Sequence, residues 1–156
     1  MTPKSLLRNP HSYSYANEFL NGRFMEVVDD DIKDKNKIKN IILTSGKVYY
    51  DLLKHKRENN IDDYAIVRIE QYYPYSVQSI ESIIKAYKNA KVLKWVQEEP
   101  ENMGALNFIK CRLTENFPKY VLKFVSRKEN PSPAPGSYKV YIETQYRLIN
   151  NAFKVE

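Results

Sequence analysis

From Lys37 onward the chain alternates between two periodicities, and this alternation constrains its fold more than any other feature. Short apolar, β-branched runs at residues 38–44, 64–69, 92–97 and 120–125 each give way to a segment with apolar residues at helical spacing. After the first run, Val48, Tyr49, Leu52 and Leu53 share one helical face. After the second, Ser76 stands as an N-cap for a helix burying Val77, Ile80, Ile83, Ile84 and Tyr87. The third leads to a helix over 102–117 with Leu106, Ile109, Leu113 and Phe117 on one stripe. A stiff Pro/Ser loop over 130–137 separates the fourth from a last helix burying Ile142, Leu148, Ile149, Ala152 and Phe153. Strands joined through helices cannot pair as hairpins; they become parallel neighbours through right-handed crossovers. The expected fold is α/β, three-layered, with at least four parallel strands and helices on both faces of the sheet.

Residues 1–35 read as an N-terminal arm, with Pro3, Pro10, a Ser/Tyr patch at 12–15 and an acidic run at 29–31. A short strand fits around 23–28. Residues 36–156 then form a single α/β domain, a length sufficient for one hydrophobic core. Cys111 is the only cysteine, which rules out an internal disulfide and suits a reducing compartment. His11 and His55, with no carboxylate or cysteine cluster at ligand spacing, give no metal signature. No apolar run reaches the roughly eighteen residues of a membrane span. No basic-then-apolar leader opens the sequence, so the expectation is a chain that is not secreted. A net charge of +6 would suit an anionic partner, but the lysines are scattered and interrupted by Asp29, Asp30 and Asp31. The thirteen tyrosines lack the spacing of a base-stacking platform, so nucleic acid is not an expected partner.

The third run ends in Gln97-Glu98-Glu99-Pro100, where the proline is expected to stop the strand and a helix to begin at once. Open α/β sheets gather their interaction groups at such carboxyl ends. Adjacent strand residues face opposite sides, so Glu98 and Glu99 cannot flank one small substrate as an acid/base pair. One contact inward and one across an interface is the use that fits. Ser45-Gly46-Lys47 sits where a strand passes into a helix, whose free N–H groups and dipole favour an anion. Two roles fit here: Ser45 capping the helix beside a solvated Lys47, or backbone and Lys47 holding an anion. Arg68 lies in an otherwise apolar strand, so it needs a partner. That partner is either a carboxylate such as Glu70, Glu98 or Glu99, or a bound phosphate or carboxylate. Tyr49, Tyr50, Tyr72, Tyr73 and Tyr75 cluster beside the strand ends and suit a subunit interface. Trp95 and Cys111 read as packing residues. No triad, dinucleotide glycine fingerprint or metal box is present, so no catalytic residue is assigned.

Four blocks carry a resemblance: Met1-Thr2-Pro3-Lys4-Ser5-Leu6-Leu7-Arg8, Ser45-Gly46-Lys47-Val48-Tyr49-Tyr50-Asp51-Leu52, Ala65-Ile66-Val67-Arg68-Ile69-Glu70-Gln71 with Tyr73-Pro74, and Gln97-Glu98-Glu99-Pro100 with Asn102 and Gly104-Ala105. In order and spacing they resemble the C-terminal region of 2-oxoglutarate dehydrogenase, the thiamine-diphosphate-dependent decarboxylating component. A weaker likeness continues through Pro133-Ala134 and Gly136. Met103 and Leu106 stand where that family usually has Gln and an aromatic, and Tyr141 where His is common. The resemblance implies a transketolase C-terminal-like fold with a mixed five-stranded sheet, as one domain of a larger dimeric enzyme. It implies that thiamine diphosphate and Mg²⁺ are bound by preceding domains through a Gly-Asp-Gly…Asn motif, which this chain lacks. It also implies a second subunit, a lipoyl-bearing succinyltransferase partner, and a cytoplasmic location in bacteria or the mitochondrial matrix in eukaryotes. An acetyl-CoA or AMP effector would fall to Ser45, Lys47 and Arg68, with Arg8 as a further candidate. The alternative is a self-standing α/β module that binds an anionic metabolite or nucleotide.

Overall fold

The apolar runs become strands because both of their faces are covered. In the computed structural model, which describes residues 3–154, every residue of β2 (Asn40–Thr44) is buried. Around it stand β3 (Tyr64–Ile69), β4 (Val92–Pro100) and β5 (Val121–Arg127), all parallel, in the order β3-β2-β4-β5. A two-residue strand, β1 (Val27–Val28), pairs antiparallel with β3 and completes a five-stranded mixed sheet. This is the architecture expected from the alternation and the resemblance. Met1 and Thr2, which open the first block of that resemblance, lie outside the described residues.

The helices divide by face. Ile41, Leu43, Val67, Leu93 and Trp95 pack against α3 (Val77–Ala86) and α4 (Leu106–Asn116), which contribute Ile80, Ile84, Ile109 and Leu113. The opposite face, with Ile42, Ile66 and Val96, packs against α2 (Val48–Glu58) and α5 (Tyr138–Ala152) through Val48, Leu52, Leu148 and Ile149. From β2 the chain steps to β3 through α2, then returns across β2 to β4 through α3 and continues to β5 through α4. The reversal of direction goes with a change of face, as right-handed crossovers require. Among the described residues, no helix is long and apolar enough to cross a membrane.

Several boundaries differ from the sequence reading. β4 continues through Pro100, which lies opposite Arg127 after an irregularity beyond Val96. Proline lacks a donor, and the next one, Glu101 N–H, bonds to Arg127 O at 2.9 Å. Turns then occupy 101–105, so α4 starts at Leu106 rather than 102. Gly104 takes φ 69°, and a Cβ there would lie 3.0 Å from the Gln97 side chain. Ser76 makes no side-chain cap bond. Ile142 is 47% exposed, because the inward phase of α5 is set by Tyr141, Gln145, Leu148, Ile149 and Ala152. The apolar pattern misses that phase since Gln145, buried for its hydrogen bonds, occupies one turn of it.

The N-terminal segment holds a short helix, α1 (Ala16–Asn21), whose Glu18 carboxylate accepts from the Tyr15 N–H at 2.9 Å. Its acidic run is used inward. Asp30 accepts from Lys56 Nζ at 2.7 Å and from the Ile66 N–H at 2.9 Å, while Asp29 accepts from Lys35 Nζ at 2.6 Å and from the Tyr87 hydroxyl. These bonds latch the segment that carries β1 to α2, β3 and α3.

Candidate functional site at the carboxyl edge of the sheet

β2 sends its chain to α2 on one face, while its neighbours β3 and β4 send theirs to α3 and α4 on the other. Such a divergence opens a crevice at the carboxyl ends of the strands, the usual ligand position in open α/β sheets. Ser45, Lys47, Arg68, Glu98 and Glu99, all singled out from the sequence, lie along this edge. The β2–α2 turn supplies Ser45, Gly46 at φ 71° and Lys47. β3 contributes Arg68, in register beside Thr44, and β4 contributes Glu98.

Strand parity puts Glu98 on the α2/α5 face, and there it meets Lys47, with Nζ to Oε2 at 2.7 Å. Lys47 also donates to the Tyr141 hydroxyl at 2.8 Å and lies 3.9 Å from Asp51. Burial opposes the ammonium charge, but bonds to Glu98 and Tyr141 outweigh it and hold the Lys47 pKa above its ordinary value. The network continues outward. Gln145 donates to Asp51 at 2.8 Å and accepts from Arg127 Nη2 at 2.7 Å, and the Arg127 guanidinium stands 5.3 Å from the Tyr141 ring centre. Four elements, α2, β4, β5 and α5, are thereby tied together at one edge. Glu99, on the other face, is exposed.

Arg68 has a separate setting. Its guanidinium lies 4.5 Å from the Tyr49 ring centre, Nη1 donates to the Tyr50 hydroxyl at 3.3 Å, and Glu70 is 3.4 Å from Nε. That carboxylate contact lacks hydrogen-bond geometry, and the buried Nε has no hydrogen-bond partner. Ser45 does not cap α2; Lys47 occupies the cap position, and the Tyr50 N–H bonds to Lys47 O at 3.1 Å. The Ser45 side chain instead bonds to Tyr72. Burial raises the Tyr72 pKa, and the bond to Ser45 opposes that rise. Arg8 is exposed in the N-terminal segment. The structure therefore joins Lys47 to Glu98 and leaves Arg68 in an aromatic cradle of its own.

Tyr49 and Tyr50 meet edge to face at 5.1 Å, so part of the tyrosine cluster serves this cradle. Asp51, Arg127 and Gln145 were not singled out from the sequence. The available signal was Asp51 at four residues from Lys47 and a glutamine in the apolar phase of the last helix. At the opposite end of the sheet, buried Lys94 donates to the Tyr64 hydroxyl at 3.1 Å and to the carbonyls of Ala152 and Lys154 at 3.0 and 2.6 Å. It neutralises the carboxyl end of α5. Among the described residues, no group of three or more His, Cys, Asp or Glu side chains could hold a metal ion. The edge gathers two cations, Lys47 and Arg68, among carboxylates and tyrosines, and among the described residues there it does not align a nucleophile with a base.

Comparison with known proteins agrees with the fold. Residues 13–153 match the model of a family described as 2-oxoglutarate dehydrogenase C-terminal. The chain is 41% identical, over 99% of its length, to the oxoglutarate dehydrogenase of Buchnera aphidicola, of which it covers 17%. It is 38% identical over 98% of its length to the 2-oxoglutarate dehydrogenase E1 component of Cupriavidus necator, covering 16% of that protein. The E1 component of Haemophilus influenzae gives 38% identity over 97% of the chain and 16% of the relative. The chain thus spans about a sixth of the length of the relatives it matches.

Proposed function

Because the chain belongs to the 2-oxoglutarate dehydrogenase C-terminal family, we propose that it acts as the C-terminal structural and regulatory domain of such an enzyme's decarboxylating component. The observation that carries this reading is the family match over residues 13–153 of a chain covering only 16–17% of its relatives. In the whole enzyme the reaction is the oxidative decarboxylation of 2-oxoglutarate, with succinyl transfer to lipoamide. Thiamine diphosphate and Mg²⁺ then belong to preceding domains. The donor set here does not suit them: no Gly-Asp-Gly…Asn motif occurs, and the described carboxylates do not converge in a metal-holding group. The partners are those domains, a second subunit and a lipoyl-bearing succinyltransferase, and in a bacterial cell the enzyme works in the cytoplasm.

The calorimetric test is titration of this chain with thiamine diphosphate and Mg²⁺. No saturable micromolar binding is expected, and such binding would overturn the division of labour.

Within the domain, Ser45, Lys47 and Arg68, with Arg8 as an outer candidate, form the anion site for an effector such as acetyl-CoA or AMP. Support comes from Arg68 Nε, which faces Glu70 at 3.4 Å without a hydrogen bond, and from the place of Ser45 and Lys47 at the start of α2. An anion reaching Lys47 has to compete with Glu98 at 2.7 Å, so Arg68 is the stronger contact. Arg68→Ala should weaken binding about ten- to hundredfold at fixed salt, the value of one charge-assisted contact of ~1.5–3 kcal/mol. Equal affinity in the variant excludes the site.

A further inference from the structure

A second concavity lies away from Lys47 and Arg68, between the end of β5, the proline loop over 130–137 and α5. Its volume of about 580 Å³ falls within the range of small-molecule sites. Pro100 and Arg127, the last residues of β4 and β5, both line it, so it too opens at the carboxyl ends of strands.

Its charge is lopsided. Arg127, Lys128 and Arg147 face a single acid, Glu129, and Arg147 is exposed and unpaired among the described residues. The amino end of α5 adds to the same sign. Ser137 and Val140 line the cavity, Ser137 makes no side-chain cap bond, and no carboxylate sits in the first turn to offset the helix dipole. A separate observation comes from Arg127: one guanidinium nitrogen bonds Gln145, but its buried Nε has no hydrogen-bond partner. The bond to Gln145 fixes the Arg127 guanidinium beside the cavity that this residue lines.

The walls are held in place. Asn102 Nδ2 donates to Asn130 O at 3.1 Å, and Asn102 Oδ1 accepts from the Asn130 N–H at 3.2 Å. The Ser132 N–H bonds to Asn130 Oδ1 and its hydroxyl to Ala134 O, each at 2.8 Å. Pro133 and Pro135 fix the backbone between these ties. Val140 and Leu148 supply an apolar surface.

We propose that this cavity binds a small organic oxyanion, whose carboxylate or phosphate group lies between the guanidiniums of Arg127 and Arg147. Its apolar body packs on Val140, Leu148 and the prolines. Planar guanidinium forks match both anion types, so the shared chemistry is the oxyanion rather than one named metabolite. Every lining residue named here comes from this chain, and the proposal does not depend on the effector reading above.

The experiment follows backbone amide resonances during titration with benzoate, phenyl phosphate and inorganic phosphate at constant ionic strength. Saturable shifts at Ser126, Ser137 and Thr144 are expected with benzoate or phenyl phosphate, and the tighter of the two identifies the anionic group. Arg147→Gln should weaken that binding about ten- to hundredfold. Val140→Trp, which fills the cavity and keeps every charge, should abolish it with an unchanged amide spectrum elsewhere. Because Arg147 and Val140 are both exposed, these variants test the site without threatening the fold. No saturable shift with either aromatic anion, binding of inorganic phosphate alone, or undiminished binding in Val140→Trp would each overturn the proposal. None of these outcomes bears on the thiamine diphosphate titration.

Discussion

Lys47 and Glu98 bear most of the electrostatic consequence at the sheet's edge, because each is about three-quarters covered and each is the other's closest charge. Removing one partner strands the other in a half-buried setting, which costs more than losing an exposed pair and less than breaking a fully buried one. Glu98→Ala is therefore expected to lower unfolding free energy by about 1–3 kcal/mol, whereas exposed Glu99→Ala should stay within about 0.5 kcal/mol. Urea denaturation at neutral pH checks both; equal effects would mean that strand parity does not separate their roles. If Glu99 makes the interface contact expected of this pair, its loss should appear only in assembly of a longer enzyme. A second residue offers the opposite sign. The Tyr75 hydroxyl is buried without a hydrogen-bond partner, while its ring meets Phe108 edge to face at 5.9 Å. Tyr75→Phe keeps the ring contact and removes the unmet group, so stability should rise by up to ~1 kcal/mol. A loss of stability would show that the hydroxyl is satisfied in solution.

Among the elements, the latch formed by Asp29 and Asp30 decides how firmly β1 is held. β1 contributes only two pairs to the sheet, too few to hold a chain segment by strand pairing alone. The Asp30 side chain, 8% exposed, satisfies both Lys56 and the Ile66 N–H. Asp30→Ala leaves a covered ammonium and a strand N–H without acceptors, and a loss of about 3–5 kcal/mol is expected. Hydrogen exchange should quicken at Val27 and Val28 before the central strands if the latch works locally; uniform exchange would assign it to the global fold. This latch also marks what could be read from the sequence. The strands at 64–69 and 92–97 and the stripes of α3 and α4 were legible because burial repeats at fixed intervals within each element. The partners of Asp30, Gln145 and Lys94 lie 18 to 94 positions away, and their pairing depends on strand order and helix phase. Ile142 was misread for that reason: its apolar character fits a core face, but Gln145 sets the phase of α5. Lys47, Arg68 and Glu98 were each visible as charges at strand ends, while the choice of Glu98 for Lys47 required β2 and β4 to be neighbours.

Across the whole molecule, two cores back to back on one sheet have drawn several tyrosines inside, and this gives the fold a definite alkaline limit. Burial pushes the phenols of Tyr64 and Tyr75 up to about 12 from 10.0. Burial followed by the nearby Asp29 carboxylate raises Tyr87 further. An unfolded tyrosine releases its proton near 10.0, whereas these folded ones hold theirs until near 12 or above. Between those values the native state binds more protons than the unfolded state, so stability must fall as pH rises. Lys47 acts in the same direction. Its folded pKa is raised above 10.5, so its stabilising contribution is complete below that value and disappears as pH climbs through the folded one. Stability from these groups should therefore be level between pH 7 and 9 and decline steeply above about 10. Urea unfolding at half-unit steps from pH 8 to 11.5 measures this decline. Tyr75→Phe removes one of the retained protons and nothing that Tyr75 hydrogen-bonds, so its stability curve should fall less steeply between 10 and 11.5. A variant curve parallel to that of the parent chain would mean that burial does not hold the Tyr75 proton, and the alkaline limit would have to come from the other tyrosines and Lys47.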